Sequence, residues 1–169
     1  MPRPEERVAI NPAEYRQLLG RFATGVTVIT TLDGRRQPAG MTASALSAAS
    51  LEPPLLLVCV SRTTDFQDVL RAADRFAVNV LASDQDELSR RFATDGIERF
   101  AGVRYTAGPA GVPLLEGVTA HIFCERGAIQ EAGDHSLFLG RVIGGQVFDR
   151  APLLHYGGHY TTTRDGPPP

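Results

Sequence analysis

Short runs rich in β-branched and apolar residues recur along this chain, separated by turn residues rather than by regular crossover helices. That pattern predicts a mainly β fold with antiparallel strands, peripheral helices and a barrel-like closure. Residues 25–31 are dense in Val, Thr and Ile; Asp33-Gly34 marks a turn, and the chain from Gln37 returns as the second strand of a hairpin. Residues 55–60 form a continuous apolar run behind the breaker Pro53-Pro54, and residues 76–81 repeat strand composition. Residues 118–129 alternate, with Ala120, Ile122 and Cys124 facing one way. Residues 135–148 are apolar on both parities, as in a strand packed inside and also against something outside, such as a second subunit.

Three helices decorate this framework. Asn11-Pro12 reads as an N-cap and first helical residue, followed by Tyr15, Leu18, Leu19 and Phe22 at i, i+3, i+4 and i+7. Phe66, Val69, Leu70 and Ala73 keep the same spacing. A third helix is expected after Ser83 and Asp86, which resemble a capping box, with acids first (Asp84, Asp86, Glu87) and Arg90 and Arg91 last. Residues 94–117, rich in Gly and Pro, read as a long excursion over the surface.

At 169 residues the chain suits one domain, 1–164, with a frayed tail at 165–169. A net charge of −2 supplies no field to gather nucleic acid or an anionic membrane. The longest apolar run, residues 55–60, is too short to span a bilayer, and residues 1–9 lack the apolar core of a signal peptide. The two cysteines, Cys59 and Cys124, sit in apolar runs and read as buried free thiols of a cytoplasmic protein. No Walker or dinucleotide-binding glycine loop follows any strand, which argues against a Rossmann domain. Metal binding is equally unsupported: His121 and Cys124 fall on opposite sides of a strand, and His155 with His159 has no further ligands nearby.

Three segments remain as site candidates, each with an ordinary reading beside a functional one. Residues 40–47 (GMTASALS) pack small side chains and hydroxyls next to a buried strand. That suits tight strand packing, and equally a surface where backbone N–H groups approach a flat ligand. Ser61, Arg62, Thr63 and Thr64 leave a strand and enter a helix, as a plain cap does and as a phosphate site does. Gly133-Asp134-His135 sits at a hairpin mouth, where a structural and a catalytic histidine look alike.

Taken together and in this order, FATGVTVITT (residues 22–31), GMTAS (40–44), SLEPPL (50–55), FAVNVL (76–81) and Gly133-Asp134-His135 resemble the short-chain flavin reductase family over nearly the whole chain. The resemblance implies an antiparallel Greek-key split β-barrel of the FMN-binding type, homodimeric, serving as the reductase component of a two-component flavin-dependent monooxygenase. It implies FMN or FAD as cofactor and NADH or NADPH as co-substrate. Met41, Thr42, Ala43, Ser44 and Ser47 would line the flavin ring and its ribityl chain; Ser61, Arg62, Thr63 and Thr64 would approach its phosphate, with Arg91 and Phe92 closing that side. His135 would be the nicotinamide-side and catalytic histidine, and His155, Tyr156, Gly157 and Gly158 the stretch covering the nicotinamide nucleotide. Relatives often carry an aromatic at the place of His155 and a basic residue at that of Gly157. Such a site needs no acid–base residue, because hydride passes between the two rings. The competing expectations are a non-catalytic flavin- or haem-binding split barrel and an oxidase of the pyridoxamine-phosphate type.

Overall fold

A computed structural model describes residues 10–163; the expected frayed tail at 165–169 lies outside them. The first helix, α1 (Pro12–Leu19), starts as its residues dictate: the Asn11 side chain accepts from the N–H groups of Ala13 and Glu14, and Glu14 reaches back to the Asn11 N–H. Strands β1 (Thr24–Gly25), β2 (Thr27–Leu32), β3 (Pro38–Ala43), β4 (Leu46–Leu51) and β5 (Pro54–Ser61) follow, then α2 (Phe66–Ala72), β6 (Arg75–Val80) and α3 (Asp86–Phe92). After these come β7 (Tyr105–Ala107), β8 (Pro113–Leu115), the long pair β9 (Ala120–Ala132) and β10 (His135–Val147), and the hairpin of β11 (Leu154–Tyr156) and β12 (His159–Thr161).

Seven strands form one sheet in the order β3-β2-β6-β9-β10-β5-β4, and every pairing is antiparallel. Its two edges, β3 and β4, are consecutive in the chain and separated only by Ser44 and Ala45. Joining opposite edges by two residues requires the sheet to curl on itself, which yields the expected split barrel rather than a flat sheet. The interior is filled by Ile29, Met41, Leu56, Val58, Phe76, Val78, Cys124 and Phe138, with Phe66 and Leu70 of α2 sealing one end.

Several expectations need correction. Ser83 does not cap α3: Gln85 occupies the cap, and its side-chain oxygen accepts from Ala82 N–H. The excursion at 94–117 is not all surface, since it contains β7 and β8 and buries Val112, Leu114 and Leu115. Leu115 fits because its N–H donates to the side-chain Oδ1 of the buried Asn79, satisfying a backbone group that a loop would otherwise leave to water. The first half of β10 alternates between buried and half-buried residues, but beyond Gly140 the strand is largely exposed, with Val147 85% accessible. The first hairpin does turn at Asp33-Gly34 as expected: the Asp33 carboxylate accepts from Arg35 N–H and Gln37 N–H and holds the turn, in which Arg36 takes φ +60°.

Candidate functional site

The strand period of two decides where a site can form. In β5, Leu56, Val58 and Val60 point into the barrel, so Leu57, Cys59 and Ser61 point out. Leu57 and Cys59 floor an open cavity of about 610 Å³ on the outer wall of the barrel. The β3–β4 crossover supplies Ser44, Ala45 and Ser47; α1 and the turn after it supply Tyr15, Arg16, Leu19 and Phe22; the last hairpin supplies His155 and Gly158. Among these residues Arg16 carries the only permanent charge, and no carboxylate is present. Burial raises the Cys59 thiol above its ordinary value, so it lines the wall as a neutral, half-buried group rather than lying deep in the core as its apolar run suggested.

Further along the same face of β5, Ser61 stands opposite His135 of β10. A two-residue turn, Gly133-Asp134, presents His135, with Gly133 at φ +61°, the conformation a hairpin with glycine at its first central position needs. The Asp134 carbonyl accepts from Arg62 N–H at 2.9 Å, which ties this tip to residues 61–64. Ser61 and Thr63 share a hydroxyl–hydroxyl hydrogen bond, and the Thr64 hydroxyl donates to Ser61 O. His135 Nδ1 lies 2.7 Å from the Asp134 carboxylate, which this contact holds below the ordinary aspartate range. With Nδ1 engaged, Nε2 is the ring nitrogen left for a ligand. Beneath the corner, Glu131 accepts from Arg71 and from Ser136 and lies 3.4 Å from Arg62, which lowers its carboxyl as well.

The sequence candidates thus divide. Ser44, Ser47, His155 and Gly158 line the cavity; Ser61, Arg62, Thr63, Thr64 and His135 form the adjoining corner. Met41 and Ala43 turn their side chains into the barrel core, so only their backbone can face a ligand. The Thr42 hydroxyl donates to Ser89 O on α3; Ser89 in turn bonds the Tyr160 hydroxyl, and the Tyr160 ring meets His155 edge-on. This chain of contacts sets one wall of the cavity. Phe92 is fully buried, and Arg91 donates to the carbonyls of Glu98, Arg99 and Ala101. Tyr156 is exposed, and Gly157 N–H donates to Gly20 O, linking the last hairpin to the end of α1. The sequence reading missed Tyr15, Arg16, Leu19, Phe22, Leu57 and Cys59. The parity of β5 contained the signal for Leu57 and Cys59, and the spacing of Tyr15, Leu19 and Phe22 was noted without a partner for the face it makes.

The profile described as "Flavin reductase like domain" matches residues 19–164. The chain is 40% identical over 154 residues to the reductase subunit HsaB of a flavin-dependent monooxygenase from Rhodococcus jostii (strain RHA1), covering 90% of this chain and 78% of that one. It is 41% identical over 132 residues to the stachydrine N-demethylase reductase subunit Stc3 of Rhizobium meliloti (strain 1021), covering 78% of this chain and 57% of that relative's length. Among solved structures it superposes on the Streptomyces globisporus C-1027 NADH:FAD oxidoreductase SgcE6 in complex with NAD and FAD fragments, with a TM-score of 0.86 and 35% identity, covering 93% of this chain and 97% of that one.

Proposed function

The chain belongs to the flavin reductase like domain family, and from that premise we propose that it uses NADH or NADPH to reduce FMN or FAD and releases the reduced flavin to a separate flavin-dependent monooxygenase. The observation that carries this reading is the cavity itself: an open wall of apolar and hydroxyl side chains, free of carboxylates, running into the His135 corner. At about 610 Å³ it falls inside the roughly 300–1,000 Å³ typical of small-molecule sites. Its residues suit a flat ring with an anionic tail. Leu57 and Cys59 offer a smooth floor, Ser44 and Ser47 offer hydroxyls, and Arg16 is the one charge at the rim.

A flavin held in this cavity would supply the redox chemistry, as an acceptor of hydride from a reduced nicotinamide. The protein's part is binding and orientation. Because β3 and β4 are the sheet's terminal strands, the crossover at Ser44 and Ala45 leaves backbone N–H groups without a strand neighbour, donors suited to negative charge developing on the ring. Residues 61–64 would offer hydroxyls and N–H groups to a phosphate, while Arg91 and Phe92 act at a remove, through residues 98–101 and Gly40. His135 Nε2 would hold a nicotinamide carboxamide, and His155 and Tyr156 with Gly157 and Gly158 would cover the nucleotide. Holding two rings face to face contributes several kcal/mol by proximity alone, on the order of what effective-molarity arguments allow. No proton-transfer residue is needed in the floor, where Leu57 and the neutral Cys59 lie; the other acid–base side chains among the lining residues are Tyr15 and His155.

The reading extends to assembly and place. The apolar patch made by Tyr15, Leu18 and Leu19 of α1 and by Phe22 in the turn after it is exposed in the single chain, as is the far half of β10, and both favour a homodimer. The unpaired thiols Cys59 and Cys124 suit a reducing cytoplasm, and among the described residues no helix is long and apolar enough to cross a membrane. The test is NADH or NADPH consumption by purified chain with FMN, FAD or riboflavin added. Flavin-dependent consumption is expected; its absence with every flavin would leave the non-catalytic barrel or the pyridoxamine-phosphate-type oxidase instead.

A further inference from the structure

We propose that Arg99 is the positioning residue of the flavin site, a buried guanidinium that locks together the two backbone segments flanking the ligand. This rests on the flavin reading above. The Arg99 side chain is only 9% exposed although it lies in a loop. Its Nη1 donates to Gly40 O and to Asp65 Oδ1, both at 3.0 Å, its Nε donates to Thr94 O at 2.9 Å, and its Nη2 pairs with Asp95. Gly40 immediately precedes residues 41–44, and Asp65 immediately follows residues 61–64. One side chain therefore joins the strand that delivers the crossover to the cavity with the loop assigned to the phosphate.

The elements around Arg99 are arranged to keep it there. Arg91 binds the Arg99 carbonyl itself at 2.8 Å, together with those of Glu98 and Ala101, and so fixes the backbone from which Arg99 projects. Phe92 packs so closely on Gly40 that an added Cβ would sit 3.0 Å from its ring and 3.0 Å from Ile29 O. Arg91 and Phe92 thus act on the site by way of Arg99 and Gly40. Lysine cannot replace this arginine, because four acceptors in separate directions match the planar fork of five donors and not a single ammonium. The two carboxylates are more than half exposed and screened. The part-buried bond to the Gly40 carbonyl is therefore the firmest of the four, and the bond to Asp65 is the one that ties in the loop.

The experiment compares wild type, Arg99→Met and Arg99→Lys as full chains, with Arg150→Met as control, since Arg150 pairs with Asp84 away from both segments. Amide hydrogen exchange is read without flavin, and FMN affinity by quenching of its fluorescence. In Arg99→Met, exchange in residues 40–44 and in residues 61–66 should rise together roughly tenfold, the equivalent of one lost buried hydrogen bond, while β6 and β9 stay protected. FMN affinity should fall roughly tenfold by the same loss, with Arg99→Lys in between and Arg150→Met unchanged. Faster exchange in only one segment, in neither, or evenly across the barrel overturns the proposal. Wild-type chain that binds neither FMN nor FAD overturns the flavin reading instead, and the exchange data still decide the role of Arg99.

Discussion

His135 is held by its neighbour in sequence and by its partner across the sheet, so its imidazole has one engaged nitrogen and one free. Replacing it with alanine should raise the KM for NADH roughly tenfold, the value of one ligand hydrogen bond, while flavin affinity changes little. Steady-state kinetics with each substrate varied in turn checks this; equal losses in both would mark the histidine as a structural member of the hairpin. The carboxylates nearby make a pH prediction. The Arg71 hydrogen bond is the main cause that lowers Glu131, so its ionised form favours the folded chain above the ordinary glutamate value of 4.5, and that contribution is lost as pH falls through the lowered value. Between neutral pH and pH 4.5 the wild type and Glu131→Gln should keep a constant gap in thermal midpoint, which closes on further acidification. A gap that is flat throughout would show that the pair is too solvated to matter. The residues of Gly133-Asp134-His135 were legible as a motif, but composition could not reveal that Asp134 engages Nδ1, because that contact depends on the turn geometry.

At the scale of elements, α1 shows how far local patterning reaches. Its cap, its proline and the spacing of Tyr15, Leu18 and Leu19 were readable, but the helix ends at Leu19 with Gly20 as its cap, so Phe22, expected at i+7, lies in the turn beyond. What they could not reveal is that its apolar face meets a cavity and open space instead of the core, since periodicity specifies a face and not its partner. Asn11→Ala should reduce stability by about 1 kcal/mol if the capping box holds the helix in place, measurable by denaturant titration. Leu18→Ser should leave the unfolding midpoint nearly unchanged in dilute monomer yet lower the dimer fraction in sedimentation. A large drop in monomer stability would mean that the face is core after all. In β5 the continuous apolar run hid the alternation: six apolar residues in a row read as buried on both sides, although Leu57 and Cys59 look outward onto the site. The cap of α3 was misplaced because composition favours serine, whereas the helix begins after Gln85, whose side chain accepts from Ala82 N–H instead of capping the helix.

At the scale of the whole molecule the barrel depends on polar closure as well as on its apolar interior. Asn79, fully buried on β6, donates to Val28 O and the Thr30 hydroxyl and accepts from Leu115 N–H, each at 2.9 Å, so it locks β2, β6 and β8 together. Asn79→Ala should destabilise the chain by about 3 kcal/mol, since it leaves several buried groups unpaired at once. A loss under about 1 kcal/mol in denaturant titration would show that the lock is easily replaced. The mainly β antiparallel class was legible from short strands and turns, but the joining of the two sheet edges by Ser44 and Ala45, which creates the cavity, is a long-range consequence that only the register reveals. The account's central claim is that this outer-wall cavity holds the flavin. Ser47 is exposed and belongs to no core cluster, so Ser47→Trp would fill the cavity without disturbing the barrel. The measurement is anaerobic reduction of added FMN by NADH, followed by the loss of flavin absorbance, for wild type and Ser47→Trp chains matched in thermal midpoint. The account predicts rapid reduction by the wild type and a loss of at least about tenfold in the variant; equal rates would contradict it.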